Sequence, residues 1–364
     1  MNYVGTARPI HDAKGKATGY TKYAGDLSLP NMAYLCMLHS KIPHGYVKAV
    51  HAEKALALPG VYGVYHCLNT SDRKYNRYRS SFNQAYLANE ERAFNQYVRF
   101  VGDKIGVVAA CDQETAERAA RLVEVEYEEL PFSIGFDDTL AGKNCLEGET
   151  PVRDEYTLEV GKKQESTEGL IEVCSTMELP RLHHATMETH ACIADYDPYS
   201  DMLTVYCPNQ AVHGIRTVLA DFLEMPESHV RVVKATMGGS FGAKQEWFLE
   251  PVTALVAKKL CRPVKLVYSR GEAMTDTIVR GAMRMSARGY YTPDGEMKEI
   301  YCDVTLDAGA YIGNAGDYVR ALAGKPTRCY RIPYMHYHGQ VISSNSPVSG
   351  AFRSWSAAEE ALMM

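Results

Sequence analysis

The 364-residue sequence lacks the features that mark several large classes of protein. No apolar run approaches the roughly 18 residues that a membrane-spanning helix needs, and the first twenty residues contain no apolar signal core. No basic stretch is dense enough for a nucleic-acid footprint, and the formal net charge is -5. The sequence therefore predicts a cytoplasmic protein with no membrane span and no nucleic-acid partner.

The cysteines also lack the spacing of a metal site. None forms a C-x-x-C pair, which argues against a zinc knuckle and against an iron–sulfur cluster held by this chain. In a large cytosolic protein, dispersed cysteines are usually reduced core residues. The ten positions are 36, 67, 111, 145, 174, 192, 207, 261, 302 and 329.

The hydrophobic content of 46% and the charged content of 23% are ordinary for a globular protein, and the length suits two or three domains. Strand and helix patterns run through residues 11–135, fade over the polar, glycine-containing stretch 136–175, and resume over 176–364. The pattern predicts an α+β chain, with a first domain over 11–135, a connection over 136–175 and a second domain over 176–364.

The first part of the chain predicts strands that alternate with short helices. Asp112 is placed to cap a helix that begins at residue 113. The following run, VEVEYEEL, alternates apolar and acidic residues, which predicts a half-buried strand. The predicted strands cover residues 33–40, 61–66, 104–111 and 123–130.

The second part predicts a strand over 202–207, a helix over 211–225 and a hairpin around the TPDG turn at 292–295. Ser356 and Glu359 have the spacing of a capping box, so a helix is predicted to start there. That helix has barely two turns before the sequence stops, and its apolar side chains need a surface. We therefore expect the sequence to stop inside a domain.

The stretch TMGGSFGAKQ, residues 236–245, places one large aromatic among three glycines. A strand precedes it and a helical pattern follows at 246–260, an order that can present backbone N–H groups to an anion at a helix start. Neither the Walker spacing nor the dinucleotide spacing G-x-G-x-x-G fits, so a nicotinamide-dependent dehydrogenase is not supported. A close approach to a ligand and a tight strand-to-helix turn both remain open.

Other polar residues have two interpretations each. His184, Glu188 and His190 would share one face of a strand, where either a mononuclear metal site or hydrogen-bonded histidines fit. The H-E-x-x-H pattern is absent, and hydrogen-bonded histidines are favoured. Asn209 and Gln210 lie at a strand-to-helix junction, where Asn209 is able to cap the helix.

Two arginines stand out in the second part. Arg280 suits either a planar, carbonyl-rich ligand or a surface salt bridge. Arg353 stands beside Phe352 and Trp355, which form either a stacking platform or core.

The order of these motifs resembles the molybdenum-binding subunit of the xanthine dehydrogenase and aldehyde oxidase family. GKATGYTKYAGDLSLP at 15–30, then ALALPGV and RFVGDKIGVVAACDQETAERAARLVEVEYEELP, look like its α/β hammerhead domain. METH, CPNQ, MGGSFGAKQ, SRGEAM, DAGAY and GAFRS follow in the order of its first molybdenum-cofactor-binding domain, a mixed α/β domain that this chain would contain in truncated form.

The resemblance implies a molybdenum cofactor, as plain molybdopterin or its cytosine dinucleotide form, with no side-chain metal ligand. Gln210 matches a family glutamine that hydrogen-bonds an oxo ligand of molybdenum. Arg280 matches an arginine that orients purine substrates, and Trp355 falls near substrate. The residues implied to lie against the cofactor are Gln210, Gly238, Gly239, Phe241, Gly242, Phe352 and Arg353.

The implied reaction is oxidative hydroxylation of a purine-like heterocycle or an aldehyde, as in purine catabolism. A Mo–OH attacks an electron-poor carbon, hydride passes to a sulfido ligand, and electrons leave through an iron–sulfur subunit and an FAD subunit. A second molybdenum domain, as a continuation or as a separate chain, would carry the catalytic glutamate. A homodimer of the whole assembly is left open.

The sequence departs from the family pattern at three points. Gln245 stands where animal purine-oxidising enzymes have a substrate-binding glutamate. RSWSA replaces the usual R-G-x-G, and two serines in place of glycines would crowd the backbone there. Family chains are also considerably longer. The alternative hypothesis is therefore a non-catalytic remnant that retains partner binding.

Overall fold

The computed structural model describes residues 4–77, 89–146 and 150–364. Helices and strands are mixed throughout these residues, so the α+β class predicted from the sequence is confirmed. No helix in the described ranges is long and apolar enough to cross a membrane.

Short strands and helices alternate along the described parts of the chain, and we number each kind in chain order. The strands are β1 (Ala33–His39), β2 (Gly45–His51), β3 (Val61–His66), β4 (Lys74–Tyr75), β5 (Glu91–Arg92), β6 (Tyr97–Val98), β7 (Lys104–Ala110), β8 (Glu124–Glu129), β9 (Val152–Gly161), β10 (Ile171–Leu179), β11 (Ala191–Asp197), β12 (Met202–Cys207), β13 (Val230–Lys234), β14 (Val264–Val267), β15 (Met283–Tyr291), β16 (Met297–Asp307) and β17 (Tyr334–Ile342). The helices are α1 (Ala13–Ala17), α2 (Glu53–Leu56), α3 (Gln113–Ala120), α4 (Phe136–Leu140), α5 (Val212–Phe222), α6 (Glu250–Leu260), α7 (Arg270–Thr275), α8 (Ala315–Ala323), α9 (Pro326–Cys329) and α10 (Ala357–Met363).

The strands predicted in the first part of the chain are confirmed as β1, β3, β7 and β8. Asp112 caps α3 as predicted, because its side chain accepts a 2.7 Å hydrogen bond from the backbone N–H of Thr115. β8 pairs with β2 in a three-stranded sheet, and its carboxylates stay exposed while Val125 and Tyr127 are half-buried. The alternating sequence pattern thus corresponds to one half-buried face and one solvent-exposed face of β8.

A seven-stranded sheet joins the two predicted domains in one layer, in the order β13-β12-β11-β14-β1-β7-β3. β1 pairs in parallel with β14, with Ala33 beside Val264, and antiparallel with β7. Every residue of β7 is buried because the strand lies between two neighbours. The boundaries at 135 and 176 remain predictions, but the two parts share this sheet.

Helices α5 and α6 cover part of this sheet. Ile215 and Leu219 of α5 and Val252 and Val256 of α6 are buried in one hydrophobic cluster with residues of β1, β11, β12 and β14. Their four-residue spacing places each pair on one face of its helix. The first residue of β13, Val230, belongs to the same cluster, and the glycine loop follows this strand.

The expectation that residues 136–175 lack regular structure is wrong. This interval contains α4, all of β9 and half of β10, and both strands belong to a five-stranded sheet ordered β10-β15-β16-β17-β9. The two are the edge strands of that sheet, and their side chains alternate between half-buried and exposed or are mostly exposed. An edge strand with little buried surface needs few apolar residues, so its sequence resembles a loop.

The predicted hairpin is confirmed as β15 and β16, which pair antiparallel around the turn at 292–295. Gly295 adopts φ +90°, which favours glycine over other residues, and the N–H of Thr292 donates to the carbonyl of Glu296. α8 packs on β17, in the second large hydrophobic cluster. This second layer positions the chain that returns toward the glycine loop after β17.

Candidate functional site

The glycine loop, residues 236–245, follows β13 and turns sharply. Gly239, Phe241 and Gly242 all have left-handed backbone conformations, with φ of +101°, +54° and +104°. Phe241 is one of few non-glycine residues that the fold holds at positive φ, and its side chain is 49% exposed. A large apolar side chain held in an unfavourable conformation at the surface indicates a functional constraint.

The expectation that this loop offers N–H groups at a helix start is wrong. α6 begins only at Glu250, five residues after the loop, and the Glu250 side chain is buried. Its carboxylate accepts a 3.0 Å hydrogen bond from the backbone N–H of Phe248. The Glu250 carboxylate therefore lies at the N-terminus of α6, where an anionic ligand was expected. Burial raises the pKa of this carboxyl.

Glu188 holds the glycine loop from one side. Its Oε2 accepts hydrogen bonds from the backbone N–H of Gly238, at 2.7 Å, and from Lys244 Nζ, at 2.6 Å. Lys244 Nζ also donates to the carbonyl of Glu188. A Cβ on Gly238 would lie 2.5 Å from the Cβ of Glu188, so only glycine fits this approach. Glu188, one of the residues considered for a mononuclear metal site, therefore anchors the loop, a role that its sequence context does not indicate.

The nearby histidines bond to backbone carbonyls, as the favoured interpretation predicted. His190 Nε2 lies 3.0 Å from the Ala243 carbonyl and His184 Nε2 lies 2.7 Å from the Ala351 carbonyl. Burial lowers the pKa of each imidazole to about 4. Both precede β11, so the expected shared strand face with Glu188 is wrong.

Gln210 lies at the surface beside the loop. Its Oε1 accepts a 2.6 Å hydrogen bond from Ser240 Oγ, and its backbone N–H donates to the Lys244 carbonyl. Asn209 is buried and donates from Nδ2 to the carbonyl of Glu246, while Ala211 directly precedes α5. Asn209 therefore does not cap the helix, and it ties the strand end to the chain that follows the loop.

The GAFRS segment, residues 350–354, packs directly on the loop. A Cβ on Gly242 would lie 2.3 Å from the carbonyl oxygen of Ala351. The Phe352 ring stacks on the His184 ring, with centroids 4.4 Å apart and planes 31° apart. Arg280 Cζ lies 4.2 Å from the centre of the same Phe352 ring. Residues from four distant parts of the sequence meet here.

Arg353 is exposed, and its side chain has no hydrogen-bond or ion-pair partner among the described residues. Trp355 lies half-buried against Tyr318 of α8, with ring centroids 5.7 Å apart in an edge-on arrangement. Gln245 is half-buried, and its backbone N–H donates to the Gly242 carbonyl. The substrate-contacting role expected of Trp355 stays a prediction.

The two serines that replace family glycines keep a glycine-like backbone. Ser354 has φ +79° and Ser356 has φ +70°. The capping box predicted from Ser356 and Glu359 is wrong, because the Ser356 side chain makes no capping hydrogen bond to α10. Its positive φ turns it away from the usual cap geometry, although the helix itself is present.

A cavity of about 650 Å³ opens beside the loop. Met237, Gly238 and Gly239 line one side, and Glu188 and Tyr23 line others. A Cβ on Gly239 would have no protein atom nearer than 3.5 Å, so it would make ordinary van der Waals contacts there.

The described residues contain no group of three or more His, Cys, Asp or Glu side chains placed to hold a metal ion. The site instead offers loop backbone, the neutral amide of Gln210 and an exposed aromatic ring. These groups suit a cofactor that brings its own metal ligands. Among the described residues, the fold and the site thus define a surface of loop backbone, amide and ring that would hold a cofactor by contacts other than metal coordination.

Comparisons with known proteins agree with this kind of site. A family profile described as a molybdopterin cofactor-binding domain matches residues 149–364. A second, described as the a/b hammerhead domain of aldehyde oxidase and xanthine dehydrogenase, matches residues 18–131. The chain belongs to the xanthine dehydrogenase and aldehyde oxidase family of molybdenum proteins, as the resemblance predicted.

Individual relatives cover almost all of this chain. The xanthine dehydrogenase molybdenum-binding subunit of Escherichia coli O157:H7 is 29% identical over 361 residues, which are 95% of this chain and 47% of that protein. The nicotinate dehydrogenase large molybdopterin subunit of Eubacterium barkeri is 30% identical, over 94% of this chain and 80% of that subunit. The chain thus spans about half the length of several relatives and most of one.

Solved structures share the fold. The aldehyde oxidoreductase of Desulfovibrio gigas superposes with a TM-score of 0.90 over 98% of this chain and 40% of that one, at 23% identity. The quinoline 2-oxidoreductase of Pseudomonas putida 86 superposes with a TM-score of 0.88 over 97% of this chain. The expected order, a hammerhead domain followed by a molybdenum-binding domain, is confirmed.

Proposed function

We propose that this chain forms the first molybdenum-binding part of an oxidoreductase that hydroxylates an electron-poor heterocycle or oxidises an aldehyde. The observation that carries the proposal is the direct contact of two backbones, where Gly242 of the glycine loop meets Ala351 of the GAFRS segment. This contact assembles the loop, Phe352 and Arg280 on one surface, with Gln210 beside the loop.

In this proposal the chain's own residues hold and orient the cofactor. Gln210 supplies a neutral amide that hydrogen-bonds the cofactor, and Ser240 fixes that amide through its 2.6 Å hydrogen bond. Phe241 covers the cofactor from the loop, while the backbones of Gly238 and Gly239 line the cavity beside it. The molybdenum centre, when bound, supplies the oxygen and takes up two electrons from the substrate. Arg353 lies against the cofactor, and Trp355 faces the substrate side.

The substrate class is set by neutral and aromatic groups. Gln245 carries no charge where a glutamate would favour purine binding, so we propose a neutral heterocycle or an aldehyde ahead of xanthine. Relatives named for xanthine, nicotinate and carbon monoxide show that one fold serves several substrates.

The proposed assembly includes an iron–sulfur subunit, an FAD subunit and a second molybdenum domain, which supplies the catalytic carboxylate. The cofactor is molybdopterin or its cytosine dinucleotide form. We place the assembly in the cytoplasm, in agreement with the free cysteines, and assign it to catabolism of a heterocycle.

The test is turnover by the complex purified with its natural partners. We expect it to oxidise a heterocycle or an aldehyde with an artificial electron acceptor. Gln210→Ala should lower kcat by at least about tenfold, because it removes a hydrogen bond at the cofactor. Gln113→Ala on distant α3 is the matched control and should retain full activity. A loaded complex that oxidises none of a broad panel of both substrate classes would contradict the proposal.

A further inference from the structure

Arg280 and Glu359 form a buried ion pair behind the proposed site. Arg280 Nε lies 3.0 Å from Glu359 Oε1, and the two side chains are 14% and 1% exposed. The pair has the distance of an ion pair without the alignment of a hydrogen bond. A carboxylate this deeply buried is strongly destabilising without its cation, so the two residues depend on each other.

The same guanidinium also holds the segment that follows Ala351. Arg280 Nη2 donates a 3.0 Å hydrogen bond to the carbonyl of Arg353, and its Cζ lies 4.2 Å from the Phe352 ring centre. His184 stacks on Phe352 and bonds to the Ala351 carbonyl. Three contacts of Arg280 therefore go to protein, one to a carboxylate, one to a carbonyl and one to a ring.

This segment is in direct contact with the glycine loop. The ideal Cβ position of Gly242 lies 2.3 Å from the Ala351 oxygen and 2.7 Å from its carbonyl carbon, so the two backbones are in close contact. A close-packed contact of this kind leaves no space to absorb a shift of the segment. Glu359, on α10, thus acts on the loop through Arg280 and Phe352.

We propose that Glu359 is a positioning residue, which through Arg280 sets the place of residues 351–353 against the glycine loop. Arg280 then acts on the protein instead of the substrate, since its charge is balanced by Glu359 and its Nη2 donates to the Arg353 carbonyl. The catalytic effect of this positioning rests on the proposed function. The clamp itself, defined as Arg280, Glu359 and Phe352, rests on geometry alone.

The kinetic test uses the intact complex with its cofactor. Glu359→Gln keeps the shape but removes the charge, and Arg280→Lys keeps a charge but cannot reach carboxylate, carbonyl and ring together. Each should lower kcat at least about tenfold, because small displacements at a reacting centre are costly, while KM stays within about twofold. Glu360→Gln is the matched control, as this neighbouring buried glutamate of α10 lies outside the clamp, and it should leave both constants unchanged.

A second readout needs no activity. Trp355 follows the clamped segment and Trp247 is buried in the core, so a change in acrylamide quenching of the full chain reports mainly on Trp355. Glu359→Gln and Arg280→Lys should both increase quenching, and Glu360→Gln should not. The double variant Arg280→Lys with Glu359→Gln should lose no more kcat than either single variant, since both act through one pair.

The opposite pattern overturns the proposal. If Arg280→Lys raises KM at least tenfold with kcat preserved and quenching unchanged, Arg280 binds substrate and Glu359 does not position the segment. If Glu359→Gln matches Glu360→Gln in every readout, the pair is only structural. If the wild-type complex is inactive, the proposed function fails, and the quenching comparison still decides the clamp. If Glu359→Gln does not fold, Arg280→Lys is compared with Glu360→Gln in its place.

Discussion

Lys244 Nζ lies 2.6 Å from Glu188 Oε2, and this contact joins the end of the glycine loop to the segment before β11. The lysine side chain is 1% exposed and that of Glu188 is 14% exposed. Burial lowers the pKa of Lys244, and the hydrogen bond that Lys244 Nζ donates to Glu188 opposes that shift. The pair therefore fixes the loop. Removal of either partner would leave the other side chain largely buried without its opposite charge.

Breaking this pair should destabilise the protein strongly. Glu188→Ala leaves the ammonium of Lys244 buried without its carboxylate and frees the N–H of Gly238, so we expect a loss of about 3–5 kcal/mol in the free energy of unfolding. Chemical denaturation of the full chain measures it. The double variant with Lys244→Met should recover part of the loss. A single variant within about 0.5 kcal/mol of wild type would refute the anchoring role.

The two left-handed glycines of the loop should respond differently to a methyl group. Gly242→Ala places a Cβ 2.3 Å from the Ala351 oxygen, so we expect the segment contact to break and the midpoint of denaturation to fall clearly. Gly239→Ala meets no atom nearer than 3.5 Å and should cost only the positive φ, about 1–2 kcal/mol. Equal losses in the two variants would show that the contact is not tight.

Ser354 occupies a backbone conformation that suits glycine. Its φ is +79° and its side chain is exposed, so Ser354→Gly should stabilise the chain by about 0.5–1 kcal/mol through relief of strain. Ser354→Ala is the control, because alanine keeps the Cβ and should bring no gain. Thermal or chemical denaturation compares the three proteins. A gain from alanine equal to that from glycine would place the cause in the hydroxyl group instead.

Glu246 should make stability depend on pH. Its side chain is 1% exposed, and burial raises the pKa of its carboxyl to about 8, with Arg77 opposing that shift. Between about pH 4.5 and 8 the unfolded carboxyl is ionised while the folded one holds its proton, so this group's contribution to stability falls as pH rises through that window. Glu246→Gln should flatten the stability profile from pH 5 to 8. An unchanged slope would show that Glu246 is ionised in the fold.

Local sequence patterns predicted a large part of the fold. β7 and the β15–β16 hairpin carry strong strand and turn signals, and Asp112 has ordinary capping chemistry. β9 and β10 were missed because edge strands bury little apolar surface. The Ser356 cap was wrong because tertiary packing holds that residue at positive φ, which local spacing cannot reveal.

The proposed site was predictable only in part. Glycine spacing located the loop, local context singled out Gln210 and Arg280, and the resemblance gave these two residues their expected roles. The partners of these residues come from distant positions, since Arg280 meets Glu359 and Gly238 meets Glu188. A single sequence contains no signal for such pairs, because their contact depends on how two sheets and a returning chain are packed.

The most direct test of the central claim is the molybdenum and pterin content of the complex purified with its natural partners, measured by elemental and pterin analysis. We expect molybdenum and pterin equimolar with this chain in the wild-type complex, and a clear loss of both with Gly242→Ala, which disturbs the proposed cofactor surface without removing any possible metal ligand. A complete wild-type complex that contains neither molybdenum nor pterin would contradict the account.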